Sequence, residues 1–155
     1  MRIATTGRYA VRAVFDIAYH GGGRPTQIKD ISRRQHISQR YLEQIFNKLI
    51  KGGILTSKRG PRGGYMLARE MTGISVGDII FAAQGPIVPV QCLAEKPGST
   101  NGCSMIPSCV TRHIWAETQK LLVDYFNSVS IADLCALART RGISRDLDHP
   151  YLYVI

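Results

Sequence analysis

Between Ser38 and Gly53 the chain has little choice of conformation. Leu42, Ile45, Phe46, Leu49 and Ile50 recur at helical spacing as one apolar stripe. Gln39, Arg40, Glu43, Gln44, Asn47 and Lys51 lie elsewhere on the same cylinder. Ser38 suits an N-cap and Gly52-Gly53 a stop. The pattern predicts a helix over residues 39–51 that lays its stripe on a core and holds out its polar face. A shorter helix over roughly residues 27–35 is predicted before it, capped by Thr26, with Ile28 and Ile31 facing in and a turn at His36-Ile37. Two short helices joined this way, the second polar and basic on its outer side, make a helix-turn-helix.

The flanking segments extend the same unit. Ala10, Val14, Ile17 and Ala18 predict a helix over residues 6–20, stopped by Gly21-Gly22-Gly23 and Pro25. After the 39–51 helix, strand-like runs on either side of Arg59-Gly60-Pro61-Arg62-Gly63-Gly64 predict a hairpin. A hairpin directly after a helix-turn-helix is a wing. Residues 75–84 predict a short closing helix, and Gly85, Pro86 and Pro89 mark a linker.

Charge is unevenly placed along the 155 residues, whose net charge is +9. Residues 1–70 hold 14 Lys/Arg against 4 Asp/Glu, a net of +10; residues 71–155 hold 6 against 7, a net of −1. A basic half beside a near-neutral half points to a polyanion partner, most often double-stranded DNA. With no apolar run near 20 residues and no signal-peptide core, the expectation is a cytoplasmic protein with no membrane partner.

Arg40, Gln44 and Asn47 carry groups that pair with guanine or adenine edges. Glu43 is a carboxylate expected near phosphates. It would discriminate by accepting from cytosine N4 rather than add affinity, or it is a solvated charge offsetting Lys48 or Lys51. At the wing tip Arg59 and Arg62 flank Gly60 and Pro61, and arginine suits a narrow minor groove. The DNA-contacting set is therefore Ser38, Gln39, Arg40, Tyr41, Glu43 and Gln44 on the helix, with Arg59, Gly60, Pro61 and Arg62 on the wing.

Residues 91–110 hold Cys92, Cys103 and Cys109, with Pro97, Gly98, Gly102 and Pro107 opposing regular structure. The intervals lack the close pair of a zinc site and of a Cys-x-x-Cys redox motif. Thiolates are soft ligands, so the loop is either a metal-type donor set or three unliganded thiols. Cys135 falls on an apolar helical segment and reads as core. Beyond the loop, Ile114, Trp115, Thr118, Leu121, Leu122, Tyr125 and Phe126 make a wide stripe on a helix over residues 111–127. That stripe is larger than one small domain covers, which predicts a homodimer built on Trp115, Leu121, Leu122 and Tyr125, with residues 130–140 as the alternative cover. Ser130 and Asp133 form a capping-box variant opening one more short helix.

Three runs carry a resemblance: Met1-Arg-Ile with Gly7-Arg-Tyr-Ala-Val11, Ile37-Ser38 with Tyr41-Leu-Glu-Gln44, and Arg59-Gly-Pro-Arg-Gly-Gly-Tyr65. Over about residues 1–130 the chain resembles the iron–sulfur cluster regulator (IscR) family of bacterial winged-helix transcription factors, of which the nitric-oxide sensor NsrR is a relative. The resemblance implies a major-groove role for the 39–51 helix, minor-groove entry by Arg59, and dimerisation through the long C-terminal helix. It also implies an Fe–S cluster, 2Fe–2S or 4Fe–4S, on Cys92, Cys103 and Cys109. Two departures stand out. The first cysteine interval is longer than the family's, and Arg112 stands where the family has its ligand histidine. Arginine stays protonated and does not ligate iron. The fourth ligand is then His113, a group of the other subunit or a small exogenous ligand.

The expected fold is mainly α with a small β-hairpin wing: a winged helix-turn-helix plus a long C-terminal dimerisation helix. Residues 1–84 form the DNA-binding domain, 85–110 the linker and sensor loop, 111–140 the dimerisation helices, and 141–155 an unassigned tail. The expected function is a DNA-binding regulator whose operator affinity responds to the cluster. A thiol-redox or metal-responsive regulator without a cluster is one alternative, and a regulator docking on a metabolic enzyme through the apolar helix is another. No nucleophile–base–orienter set or phosphate loop suggests an enzyme.

Overall fold

The computed structural model describes residues 3–94 and 103–146. Its first helix, α1 (Thr5–Gly21), buries Ala10, Ala13, Val14 and Ile17 along one side. It stops where Gly22 turns left-handed, at φ 54°. Helices α2 (Ile28–Gln35) and α3 (Gln39–Lys51) follow. Their turn passes through His36, a non-glycine residue at φ 54°. Ser38 caps α3 by accepting the Tyr41 backbone N–H at 3.3 Å. Leu42, Ile45, Phe46 and Leu49 are buried, so the predicted stripe faces the core except at Ile50, which falls at its edge and is exposed.

Strands β1 (Leu55–Lys58) and β2 (Gly64–Leu67) pair antiparallel, with Leu55 opposite Leu67 and Lys58 opposite Gly64. The structure corrects the predicted cap at Thr26. Its neighbour Gln27 occupies the N-cap of α2 and makes no side-chain cap, while Thr26 exchanges two 2.9 Å backbone bonds with Tyr65. Thr26 is thus a one-residue third strand that fastens the wing to the start of the helix-turn-helix. Gly64 is required there, because a Cβ would stand 2.4 Å from the Thr26 carbonyl oxygen.

After a short 3-10 turn (Met71–Gly73), α4 (Val76–Gln84) opens with a capping box between Ser75 and Asp78 and packs along α1. The cysteine segment is not wholly irregular: 3-10 turns at Gln91–Leu93 and Ile106–Ser108 bracket it, whereas Pro97, Gly98 and Gly102 lie outside the described residues. Helix α5 (Thr111–Ser128) rests on α4. Helix α6 (Ile131–Thr140) opens with the Ser130–Asp133 capping box and sends Ile131, Cys135 and Ala138 into the main core. Backbone bonds from Val76 N–H to the Val129 carbonyl and from Ile131 N–H to the Ile74 carbonyl, both 2.9 Å, sew the two helix starts together. The chain therefore leaves the reader through α5 and returns to it through α6. The tail, unassigned from the sequence, is folded back as far as Asp146; residues 147–155 lie outside the described ones.

Candidate DNA-reading face and thiol segment

On α3, Arg40, Glu43, Gln44 and Asn47 are all exposed, and their i, i+3, i+4, i+7 spacing puts them on one line. Gln39 is exposed beside them. Ser38 is exposed too, but its hydroxyl is engaged as the cap. Tyr41 is placed differently. Its hydroxyl hydrogen-bonds Thr6 Oγ1 at 2.8 Å and its ring meets Tyr9 edge-on at 5.9 Å. Tyr41 therefore wedges α3 against α1. Glu43 makes no ion pair among the described residues. The expected partner Lys48 instead donates to the Ala83 carbonyl at 3.0 Å, tying α3 to the last turn of α4. Burial, and then the charge of Glu43, push the Tyr65 phenol up, so this carboxylate is felt on the wing side of the helix.

The wing tip presents Arg59, Gly60, Pro61 and Arg62, all exposed. Gly60 takes φ 110°, which a side chain would resist, and its carbonyl accepts the Gly63 N–H at 2.8 Å. The tight turn leaves both arginine side chains exposed at the wing tip.

Sequence reasoning missed the charge inside the reader. Asp16 is fully buried, and Arg34 grips it through two bonds from Nε, 3.1 and 3.0 Å, and one of 2.6 Å from Nη2. Gln35 adds a bond of 2.8 Å. Burial alone would lower the Arg34 pKa, but the hydrogen bonds to Asp16 and Asp146 outweigh it and hold the guanidinium charged. One cation of the basic half is therefore structural. The available signal was a lone carboxylate on the apolar stripe of α1.

Cys92 lies in the 3-10 turn that packs on α5, Cys103 is exposed, and Cys109 immediately precedes the α5 N-cap, Val110. The Cys109 sulfur lies 3.2 Å from Thr111 Oγ1. That hydroxyl, then the Arg112 backbone N–H, pull its thiol pKa below the ordinary value. Cys135 is buried, and desolvation pushes its thiol up, as for a core residue. As donors the three loop thiols suit iron and sulfide, and Cys109 is disposed toward the thiolate that ligation needs. In this conformation they are not gathered: no three His, Cys, Asp or Glu among the described residues form a metal-sized group. His113 is exposed in the first turn of α5.

Helix α5 has no buried residue. Leu121 is 68% exposed, Tyr125 64%, Ile114 59% and Trp115 42%, while Leu122 is half-buried. Its inner side, with Gln119, Val123 and Phe126, faces Ile80 and Phe81 of α4 across a cleft of about 350 Å³. Gln119 Nε2 also donates to the Ile87 carbonyl at 2.8 Å, holding the linker that leads to Cys92. No helix among the described residues is long and apolar enough to cross a membrane.

A family model described as Rrf2, iron-dependent transcriptional regulator, matches residues 3–137. The protein called rrf2 from Nitratidesulfovibrio vulgaris is 41% identical over 134 residues, 86% of this chain and 87% of that one. Among solved structures, IscR of T. potens aligns with a TM-score of 0.74 at 33% identity, covering 95% of each chain. CymR of B. subtilis, described as its global cysteine regulator, aligns at 0.70 with 32% identity, covering 88% of this chain and 98% of that one.

Proposed function

The chain belongs to the Rrf2 family of transcriptional regulators, and from that premise we propose that it is a dimeric DNA reader whose operator affinity responds to chemistry at Cys92, Cys103 and Cys109. It is a DNA-binding regulator and not an enzyme. The observation that carries the finer reading is the position of the thiols. They lie between the end of α4, which α3 grips through Lys48, and the start of α5, whose outer stripe has no cover. A change in this segment acts on the reader and on the pairing of readers together. Two copies joined through Leu121 and Tyr125 would present two α3 helices to one duplex.

On this reading Arg40, Glu43, Gln44 and Asn47 meet base edges, with Glu43 discriminating more than it binds. Arg59 and Arg62 reach the minor groove. Tyr41 positions the helix from behind. Cys92, Cys103 and Cys109 would hold an Fe–S cluster, which supplies iron sensitive to redox state and to small ligands. With Arg112 unable to ligate, the remaining position falls to His113, the partner subunit or an exogenous ligand. Anaerobic reconstitution followed by iron and acid-labile sulfide analysis tests the cluster. A colourless, sulfide-free protein sinks it.

A second reading is favoured by the lowered Cys109 thiol and by the likeness to a cysteine regulator: a thiol switch without a cluster. Mass spectrometry of oxidised protein would then find a disulfide between two of the three loop cysteines.

A further inference from the structure

Residues 143–146 lie beyond the stretch that the family model matches, yet they clasp the reader. Tyr19 Oη donates to the Ile143 carbonyl at 2.6 Å, and Arg145 Nε donates to the Tyr19 carbonyl at 2.7 Å. The Asp146 N–H donates to His20 Nδ1 at 3.1 Å. The Asp146 carboxylate accepts from Arg34 Nη1 at 2.7 Å and from Arg33 Nη2 at 3.1 Å.

Those two arginines end α2, the helix that in a helix-turn-helix crosses the phosphate backbone. Arg34 is pinned from both sides, by Asp16 of α1 and by Asp146 of the tail. Arg33 is different: its side chain is 67% exposed, and Asp146 is its ion-pair partner. A free guanidinium at this place would bind any phosphate. Such contacts add affinity equally for every sequence, and so leave the ratio between sequences to the base-facing helix. The carboxylate also fixes α2 three residues before the chain enters the turn to Ser38.

We propose that Asp146 limits the reader's sequence-independent affinity: its carboxylate withholds Arg33 from DNA phosphates. The lowered Asp146 pKa, caused first by the Arg34 hydrogen bond, keeps that carboxylate charged at neutral pH. The inference rests on DNA reading and is independent of what the cysteines bind.

The test uses the full chain with two probes: a duplex that the wild type recovers from a random-sequence library, and a scrambled duplex of the same composition. Anisotropy titrations across salt give both affinities, with melting curves in parallel. Asp146→Asn should bind the scrambled duplex about fivefold more tightly, with a salt slope steeper by about 0.9, one added phosphate contact. The gain should be the same on the selected duplex, so that the ratio between the two stays constant, and Asp146→Glu should return both affinities to the wild-type values. Arg33→Gln alone should leave scrambled binding unchanged, and in the Asp146→Asn background it should cancel the gain. If Asp146→Asn weakens both duplexes in parallel with a lower melting temperature, its role is structural and the proposal is overturned. Scrambled binding and a salt slope that are unchanged in Asp146→Asn overturn it as well. So does a loss of scrambled binding in Arg33→Gln, an arm that holds even if Asp146→Asn does not fold. Recovery of no duplex by the wild type would refute DNA reading itself and this inference with it.

Discussion

The helix-turn-helix half of this protein, the reader, and the arm made of the cysteine turns and α5 are built on opposite terms. In the reader, α1, α3, α4 and α6 close around Phe46, Leu42, Ile79 and Ile131, all essentially inaccessible to water. In the arm, the cysteine turns and α5 bury no residue fully among those described. The reader is complete as a single chain. The arm offers thiols that are not gathered and an apolar stripe that is not covered. On the proposed reading, what it lacks is supplied from outside the chain, by a ligand at the sulfurs and a second copy at the stripe. On that reading the element that responds is the one whose structure depends on something that comes and goes, which suits a regulator.

The sharpest way to break the comparison is to cut one large apolar side chain from each side. Phe46→Ala removes a ring that also packs against Tyr65, tilted by 55° with the centroids 4.5 Å apart, and should cost about 3–5 kcal/mol in thermal or urea unfolding. Leu121→Ala should change the unfolding of the isolated subunit by less than about 0.5 kcal/mol. It should instead weaken the dimer by about tenfold in sedimentation equilibrium. Equal unfolding penalties would erase the distinction.

The reader also carries an acid-sensitive seam that the arm lacks. His20 has its pKa lowered, first by desolvation and against the pull of Asp16. In this state its Nδ1 accepts the Asp146 N–H. The folded-state pKa lies below the unfolded one, so the unfolded chain binds the proton more readily. The seam's contribution is full above about pH 6.5 and declines as pH falls below it. Asp146, also lowered, pushes in the same direction at more acid pH. Melting temperature should therefore fall on acidification from pH 7.5 to 5.5, and His20→Gln should flatten that slope. A slope unchanged in the variant would place the sensitivity elsewhere.

Smaller effects test the joints. Ser130→Ala removes the hydroxyl that accepts the Asp133 N–H at 3.1 Å where the arm re-enters the reader, and should cost about 1 kcal/mol. His36→Gly should stabilise by about 0.5 kcal/mol. It relieves about 1 kcal/mol of left-handed strain in the helix-turn-helix turn, less the added chain entropy of glycine.

The two regions also differed in how legible they were from residues alone. The bounds of helix α3 were readable to the residue because its serine cap and its glycine stop are local, and its stripe was readable except at Ile50. The α4 and α6 starts were readable for the same reason, through Ser75 and Ser130. Thr26 was misassigned because a capping type at that position was overruled by a β-bridge to Tyr65, a contact set by the distant wing. The Asp16–Arg34 pair and the Asp146 clasp were invisible for a related reason: charges far apart in the chain meet only once the helices are packed. At the reading face the exposed residues were foreseen, but the inward commitment of Tyr41 to Thr6 was not. The cysteines were easy to find and hard to interpret, since a glycine- and proline-rich segment carries little local instruction about where its sulfurs go.

The central claim is that the sulfurs set DNA affinity, and one titration tests it directly. The duplex selected from a random library is titrated under anaerobic conditions with wild-type protein reconstituted with iron and sulfide, and with the same protein after chelation under reducing conditions. The Cys92→Ser/Cys103→Ser/Cys109→Ser variant is measured beside both. The account predicts that the wild type changes its affinity between the two states by about tenfold or more, a coupling of about 1.4 kcal/mol, and that the variant does not change at all. A wild type with one affinity in both states, or a variant that still responds, would contradict it.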